Sequence, residues 1–426
     1  MKYEKYKDSG IEWIGEIPED WKCERIKSHF VSPKKIVGNE HEKYDRLALT
    51  LSGVMKRDKL DDKGLQPLNF KGYQICIYND LIFKLIDLEN IATSRVGLSS
   101  FSGIISPAYI LLRNSSYSLD NKFAYYYFFD LWNKNVYKGL GGNGVRSSLN
   151  KNDLLNMPIP IPSISEQIQI ICYLDNKTSK VDTIIESLEK QREKLETYKR
   201  EIIAEAVTKG LDKNVDMKDS GVDWITEVPK HWKVLRGKGI FIKQKRPVKD
   251  RYETVTCFRD GEVTLRSNRR TDGFTQSLKE IGYQGVAIGD LVIHEMDAFA
   301  GAIGVSDSEG KCTPVYSVCK IADSGSEKYF SYLLREMAQR GFIESLGKGI
   351  RERTVDFRFN TLVSLYYPVP PKEEQYKIAE YLDNKLEKIN FAKNSIDLQI
   401  DKLKEYRKII IHDVVTGKIK VAGGEA

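Results

Sequence analysis

The sequence predicts an α+β protein: two pseudo-symmetric halves of mixed α/β character, joined by two long helices that form an antiparallel intramolecular coiled coil. Three observations lead there. The chain of 426 residues is written twice. Each copy closes on a segment with apolar residues at intervals of seven. The charges beside that apolar row change sign from one end to the other.

The duplication sets the frame for everything else. Lys7-Asp8-Ser9-Gly10-Ile11-Glu12-Trp13-Ile14 recurs 211 residues later as Lys218-Asp219-Ser220-Gly221-Val222-Asp223-Trp224-Ile225. The match runs on through Pro18 and Trp21-Lys22, answered by Pro229 and Trp232-Lys233. Tyr173-Leu174-Asp175-Asn176-Lys177 recurs unchanged as Tyr381-Leu382-Asp383-Asn384-Lys385, and Glu166-Gln167 recurs as Glu374-Gln375. Between these blocks only echoes survive. Asn79-Asp80-Leu81 answers Gly289-Asp290-Leu291, Ser106-Pro107-Ala108-Tyr109 answers Thr313-Pro314-Val315-Tyr316, and Gly144-Val145-Arg146 answers Gly349-Ile350-Arg351. Their drifting offsets fit one fold whose loops differ in length.

The divergent bodies, 23–157 and 234–367, read as mixed α/β. Short apolar runs at 74–78, 108–112 and 285–293, bounded by Gly, Asp and Asn, predict strands. Denser segments at 123–132 and 329–337 predict short helices. Tyr125, Tyr126 and Tyr127, beside Phe128, Phe129 and Trp132, read as core and not as a base-stacking platform.

The tails predict long helices. Ser163 and Glu166 have the spacing of a capping box. Leu174, Val181, Leu188, Leu195 and Ile202 follow as a seam, matched by Leu382, Ile389, Ile396, Leu403 and Ile410. Gly210 and Gly417 stand where the helices should stop. A helix over 166–208 is about 64 Å long at about 1.5 Å per residue, and a seam of that length needs a partner. The adjacent row reads Lys177, Ile184, Gln191, Tyr198, Glu205 in the first helix and Lys385, Ala392, Gln399, Tyr406, Asp413 in the second. Antiparallel pairing sets Lys177 near Asp413 and Glu205 near Lys385, with Gln191 and Gln399 meeting at mid-seam. Parallel pairing sets like charges together at both ends. Each such pair is worth less than about 1 kcal/mol, but the two ends agree. Packing of each helix on its own half alone is the other arrangement open to the sequence.

Composition excludes several classes. With 41% hydrophobic and 30% charged residues the chain has a folded composition. No apolar run approaches the ~18 residues of a membrane span, and MKYEKYKDSG lacks the apolar core of a secretion signal. Six cysteines without C-x-x-C spacing fit reduced thiols in a cytoplasmic protein. The net charge of +7 permits nucleic-acid binding without requiring it. Catalytic signals are weak. The glycine-bearing stretch 304–311 has the wrong spacing for a phosphate loop and is followed by Cys312. No Asn-Pro-Pro-aromatic or His-Glu-x-x-His motif occurs, and the five histidines are scattered. His294-Glu295 with Asp297 reads as a solvated strand end, and no metal site is expected.

The proline-rich approach, the Glu-Gln pair and the long heptad helix, closing one body and then another, resemble the specificity subunit of Type I restriction–modification enzymes. Pro158-Ile159-Pro160-Ile161-Pro162 with Glu166-Gln167, and Pro368-Val369-Pro370-Pro371 with Glu374-Gln375, carry the resemblance, as do the repeated Trp-Ile-x-Glu openings. It implies a non-catalytic reader of double-stranded DNA. Each body would be a target-recognition domain for one half of a split, asymmetric site. The helices would set the spacer and dock two adenine-methyltransferase (modification) subunits, and restriction subunits can join that complex. The domains would then be 1–162 (first target-recognition domain), 163–210 (first long helix), 211–371 (second target-recognition domain) and 372–426 (second long helix and tail). The resemblance implies no cofactor in this chain. S-adenosylmethionine, ATP and Mg would serve the partner subunits.

Candidate DNA contacts follow from residue chemistry. Lys243, Lys245 and Arg246 open a basic run, and Arg266, Asn268, Arg269 and Arg270 follow on a polar loop. Arg and Asn read guanine and adenine edges, while Lys mostly holds phosphate. Asn143, Arg146 and Ser147 lie on a glycine-rich loop answered by Lys348, Arg351 and Arg353 in the second copy. Arg95 and Ser99 complete the set. A scaffold whose bodies bind protein is the competing class, and it predicts no salt-dependent DNA affinity. A self-contained methyltransferase or nuclease is opposed by the missing motifs.

Overall fold

A computed structural model describes residues 1–61, 67, 69–88, 95–140, 148–269, 281–346 and 357–421. The chain divides into two compact units: Met1–Leu188 with Asp397–Ala426, and Glu189–Ile396. The long helices run over Ile164–Lys209 and Lys372–Val415. Each unit therefore holds the first part of one long helix and the last part of the other.

In the first unit a four-stranded antiparallel sheet has the order Phe30–Val31, Ile110–Asn114, Leu81–Phe83, Val96–Leu98. Its central strand is apolar throughout because both faces are covered. Leu81 and Phe83 face the helix Asn121–Asn133, where Phe83 meets Phe128 edge-on at 4.9 Å. Ile82 and Leu111 face the other way, onto Leu47, Leu49 and Val54. Those residues belong to a second sheet ordered Gly53–Arg57, Arg46–Thr50, Gly103–Ile105, Gln74–Cys76. The tyrosine cluster is core, as read from sequence: Tyr126 and Tyr127 are buried.

The second unit repeats this plan. Its sheet runs Phe241–Lys243, Tyr316–Ile321, Leu291–His294, Ile303–Val305. Leu291 and Ile293 pack under the helix Glu327–Gln339, and Val292 faces the opposite layer with Val255, Val263 and Val286. The strand expected over 285–293 is two strands, Gln284–Val286 and Leu291–His294, broken at Gly289 (φ 81°). A positive φ there suits glycine and turns the chain into the second strand.

The long helices pair antiparallel inside each unit. In the first, Ile170 and Leu174 share a core with Ile410, Ile411 and Val414, and Arg407 reaches Asp182 at 3.1 Å. In the second, Ile378 and Leu382 share a core with Ile203, Ala206 and Val207, and Lys393 pairs with Glu196. Each step along one helix is matched by an equal step back along the other. Gly210 (φ 79°) and Gly417 (φ 75°) end the helices as expected.

Of the predicted seam, Leu174, Val181, Leu188, Ile202, Leu382, Ile389, Ile396 and Ile410 are buried. Leu195 and Leu403 are half-buried, while Gln191 and Gln399 are exposed. The second row differs from expectation. Ile184, Tyr198 and Tyr406 face solvent, and Lys177 lies over the Tyr173 ring instead of meeting Asp413. Glu205 pairs with Lys213, not with Lys385. The inner row sits one residue further on. It holds Thr178, Ile185, Arg192, Lys199 and Ala206 on the first helix and Leu386, Lys393, Ile400, Arg407 and Val414 on the second, all buried or half-buried. Lys393 and Arg407 lay their long stems along the seam and reach acids on the facing helix, Glu196 and Asp182.

This row contains an asymmetry. Arg407 has Asp182 and the Phe129 ring (5.3 Å) as neighbours. Its counterpart Lys199 donates to the neutral Asn390 at 3.5 Å, with Asp260 acting on it from further away. Burial, and then repulsion from Arg335, depresses the Lys199 pKa. Asn390→Asp should restore the ionic partner. It is expected to stabilise the second unit by about 0.5–1 kcal/mol, seen as a thermal midpoint raised by about 2 °C. An unchanged or lowered midpoint would show that Lys199 does not need the charge.

Candidate nucleic-acid interface

The repeated residues turn out to be the fittings that hold each body to its long helix. Glu166 accepts from the Trp21 indole at 3.1 Å, and Glu374 accepts from Trp232 at 3.1 Å. Only half of the expected capping box forms. Ser163 Oγ accepts from the Glu166 amide at 3.3 Å, but the Glu166 carboxylate is turned to Trp21 and Tyr3. Gln167, fully buried, accepts from the Asp120 amide (2.7 Å) and donates to the Ser118 and Pro162 carbonyls (both 2.9 Å). Gln375 likewise accepts from the Ser326 amide and donates to Pro370, both at 3.0 Å. Asp120 and Ser326 are the N-caps of the body helices, so each glutamine holds the start of a helix. Asp175 then accepts from Lys122 and Tyr126, both at 2.6 Å. Asp383 accepts from Lys328 and, at 2.7 Å, from Tyr332. Burial and that bond to Asp175 raise the Tyr126 pKa, so the phenol stays a donor.

A second repeated assembly lies at the far end of each sheet. Asp80 and Asp290 are buried, and each carboxylate accepts from the amide three residues earlier, Ile77 or Ala287, at 2.8 Å. These are the aspartates of the echoed Asn79-Asp80-Leu81 and Gly289-Asp290-Leu291. Its cation differs between the units. Arg113 forks onto Asp80 at 2.9 and 2.7 Å from the last sheet strand. Arg246 forks onto Asp290 from beyond the first sheet strand, and Lys320, the counterpart of Arg113, stands at 3.7 Å. Gln74 and Gln284, a repeat that went unread in the sequence, donate to the carbonyls of Tyr109 (2.6 Å) and Tyr316 (2.7 Å). The signal was there: Gly72-Tyr73-Gln74 recurs as Gly282-Tyr283-Gln284.

The predicted contacts separate against this frame. Lys243 and Lys245 are exposed and line an open cleft with Arg246, Tyr283, Gln284 and Pro314. Lys243 lies over the Phe359 ring at 5.2 Å. Arg266 and Asn268 follow the hairpin of Val255–Cys257 and Val263–Leu265. The threonine hydroxyls of Thr256 (3.2 Å) and Thr264 (2.8 Å) fix their side chains. Arg269 is held by Asp260 and Glu262 over the Phe258 ring.

Three expectations need correction. Arg95 is 2% exposed, and its guanidinium donates to the carbonyls of Lys84, Ile86 and Asp87, so burial keeps it from any ligand. Ser99 is buried and donates to Phe101 O at 2.8 Å, closing a turn. Arg246 lies in the basic run but is committed to Asp290. Asn143, Arg146, Ser147, Arg270, Lys348, Arg351 and Arg353 fall outside the described residues. At the strand end beside His294, Glu295 accepts from Ser317 (2.6 Å) and Asp297 pairs with Arg259 (2.8 Å). Burial pushes the Cys76, Cys312 and Cys319 thiols up to about 12, which leaves them inert. The arrangement offers cations and fixed polar groups on an open surface, suited to binding an extended polyanion.

Comparison with known proteins agrees. A family profile described as Type I restriction modification DNA specificity domain matches residues 61–197. The type I restriction enzyme MjaVIII specificity subunit of Methanocaldococcus jannaschii is 25% identical over 424 residues, covering 95% of this chain and 94% of that protein. This chain is similar to Type I restriction specificity subunits along nearly its whole length. The MjaX specificity subunit of the same organism is 23% identical over 448 residues, 96% of each chain. Among solved structures, one chain comes from work on complex assembly and conformational transition of the type I R-M system. It aligns with a TM-score of 0.68 at 16% identity, over 95% of this chain and 99% of that one. The HsdS subunit from Thermoanaerobacter tengcongensis aligns with a TM-score of 0.53 at 16% identity, over 95% and 98%. Specificity subunits thus share the two-body, two-helix fold. Among the described residues no helix is long and apolar enough to cross a membrane.

Proposed function

We propose that this specificity-subunit relative reads a bipartite, asymmetric DNA site, one body per half-site, with the paired helices setting the spacer. The observation that carries the reading is the combination of duplicated fittings and divergent bodies. The same glutamine, glutamate and aspartate locks recur in both units, while the sequences they hold differ. A symmetric scaffold holding unlike readers is what a site with unlike halves requires. Exposed apolar residues on the long helices support docking of two adenine-methyltransferase subunits. They include Ile168, Ile184 and Ile409 in the first unit and Phe391 in the second. Catalysis would lie in those subunits, with S-adenosylmethionine as their cofactor, and restriction subunits would supply ATP-dependent cleavage.

The test is to co-express the chain with a candidate methyltransferase subunit and map methylated adenines by single-molecule sequencing. The expected result is a two-part motif with a fixed gap, lost when this chain is omitted. Exchanging residues 234–367 for another body should then change one half of the motif only. Change in both halves would break the assignment of one body to one half-site. A stable complex that methylates nothing would favour the protein-scaffold reading.

A further inference from the structure

We infer that the repeated Gly-Tyr-Gln cradle is a phosphodiester clamp, one in each unit, which holds the DNA backbone without reading bases. The inference rests on the DNA-recognition reading above and adds a division of labour within each body.

The argument starts from what the two units keep in common. Residues that read different half-sites should differ, whereas the backbone of DNA is the same at every sequence. Between the shared blocks, the cradle is among the few pieces of the bodies that recur. In the first unit the Ile75 amide donates to Lys35 O at 2.8 Å. In the second the Gly285 amide donates to Arg246 O at 2.9 Å. This makes Lys34-Lys35 the counterpart of Lys245-Arg246. Gln74 and Gln284 then tie the cradle to the Ser/Thr-Pro-x-Tyr turn of their own unit. Backbone bonds and the glutamine side-chain amides thus fix where the basic strand end is presented.

The exposed lysine side chains have no part in that fixing. The buried aspartate beside the cradle is neutralised by Arg113 in one unit and by Arg246 in the other. The fold's electrostatic need is therefore met without Lys34, Lys35, Lys243 or Lys245. All four lie at the surface, and among the described residues none has an acidic partner at ion-pair distance. In the second unit, Lys243 and Lys245 stand along the cleft with Tyr283. A compact ammonium on a flexible stem suits phosphate as a point charge, whereas base reading favours Arg and Asn. Arg266 and Asn268, pinned by threonines on a hairpin outside the cradle, are of the base-reading type.

Two double variants test the inference: Lys34→Ala with Lys35→Ala, and Lys243→Ala with Lys245→Ala. Each is made in the full chain with its methyltransferase partner. Fluorescence anisotropy follows binding to the duplex carrying the methylated motif and to a scrambled duplex, between ~50 and ~200 mM salt. Each double variant should weaken binding to both duplexes by the same factor. It should also flatten the plot of log affinity against log salt by about 1.8, or about 0.9 for each phosphate no longer neutralised. The methylated motif should not change. A salt slope equal to that of the parent would overturn the clamp, as would a weakening confined to the cognate duplex with an altered motif. If the parent complex itself binds neither duplex in a salt-dependent way, the DNA-recognition reading fails with it. If the parent binds and the variants match it, only the clamp fails. Should alanine lower the melting temperature, Lys→Gln variants at the same positions carry the same test.

Discussion

Replacing Asp290 by alanine is expected to cost the second unit about 3 kcal/mol. The carboxylate is fully buried and holds together a turn amide, the Arg246 fork and Lys320. Its removal strands the half-buried Ala287 amide and leaves Arg246 without its carboxylate, while Lys320 keeps Glu327 at 3.3 Å. The Arg246 and Lys320 side chains are 32% and 36% exposed, so both can swing toward water. That escape keeps the loss below the extreme seen for sealed ion pairs. Asp290→Asn keeps an acceptor for the amide and loses only the charge, so it should fall between wild type and alanine. Asp80→Ala should do the same in the first unit, where Arg113 is the stranded cation. Denaturant unfolding of the full chain, followed by limited proteolysis to assign the weakened unit, measures both. A loss under about 1 kcal/mol would mean that the turn holds without its aspartate.

A one-heptad insertion in both long helices is expected to move the two halves of the methylated motif apart by about three base pairs. The matched points lie between Leu195 and Glu196 in one helix and between Lys393 and Asn394 in the other, because Glu196 faces Lys393. Seven residues add about 10.5 Å of helix, against about 3.4 Å per base pair of DNA. Two helical turns bring the seam nearly back into phase, with a drift of about 20°. The DNA rotates by about 100° over three base pairs. The longer site should therefore be methylated more slowly than the parent site, since the duplex or the coil must twist to present both halves. Half-motifs unchanged in sequence, at a longer gap, are the result that supports the spacer role. An unchanged gap, or no methylation from a chain whose helicity is intact, would remove it.

The parts legible in the sequence were those written by repetition. The duplicated blocks gave the two bodies, and the seven-residue rhythm gave both helices with their glycine stops. Antiparallel pairing was also legible, although the charge argument for it used the wrong residues. The inner row contains Arg192, Lys199, Lys393 and Arg407, and hydrophobicity alone passes over basic residues whose stems do the covering. It chose instead the neighbouring Ile184 and Tyr198, which are exposed. Arg95 failed for a related reason: sequence shows the charge of a guanidinium but not the backbone carbonyls waiting for it. Gln74 and Gln284 were missed because a three-residue repeat inside diverged bodies carries little weight until its bonds are seen. The same holds for Lys122 with Tyr126, and Lys328 with Tyr332, four residues apart on the body helices.

Those last pairs bear on how such a protein changes its target over evolutionary time. A body meets its long helix through a small socket: one glutamine on a helix cap, one aspartate on a lysine and a tyrosine, one glutamate on an indole. Most of these bonds use the backbone or a few side chains at fixed spacing, and among the described residues none of them involves a candidate DNA contact. A foreign body that brings a capped helix with lysine and tyrosine one turn apart already fits the plug. Under the proposed function, recombination at the shared blocks would deliver a new specificity in one exchange, with the scaffold untouched.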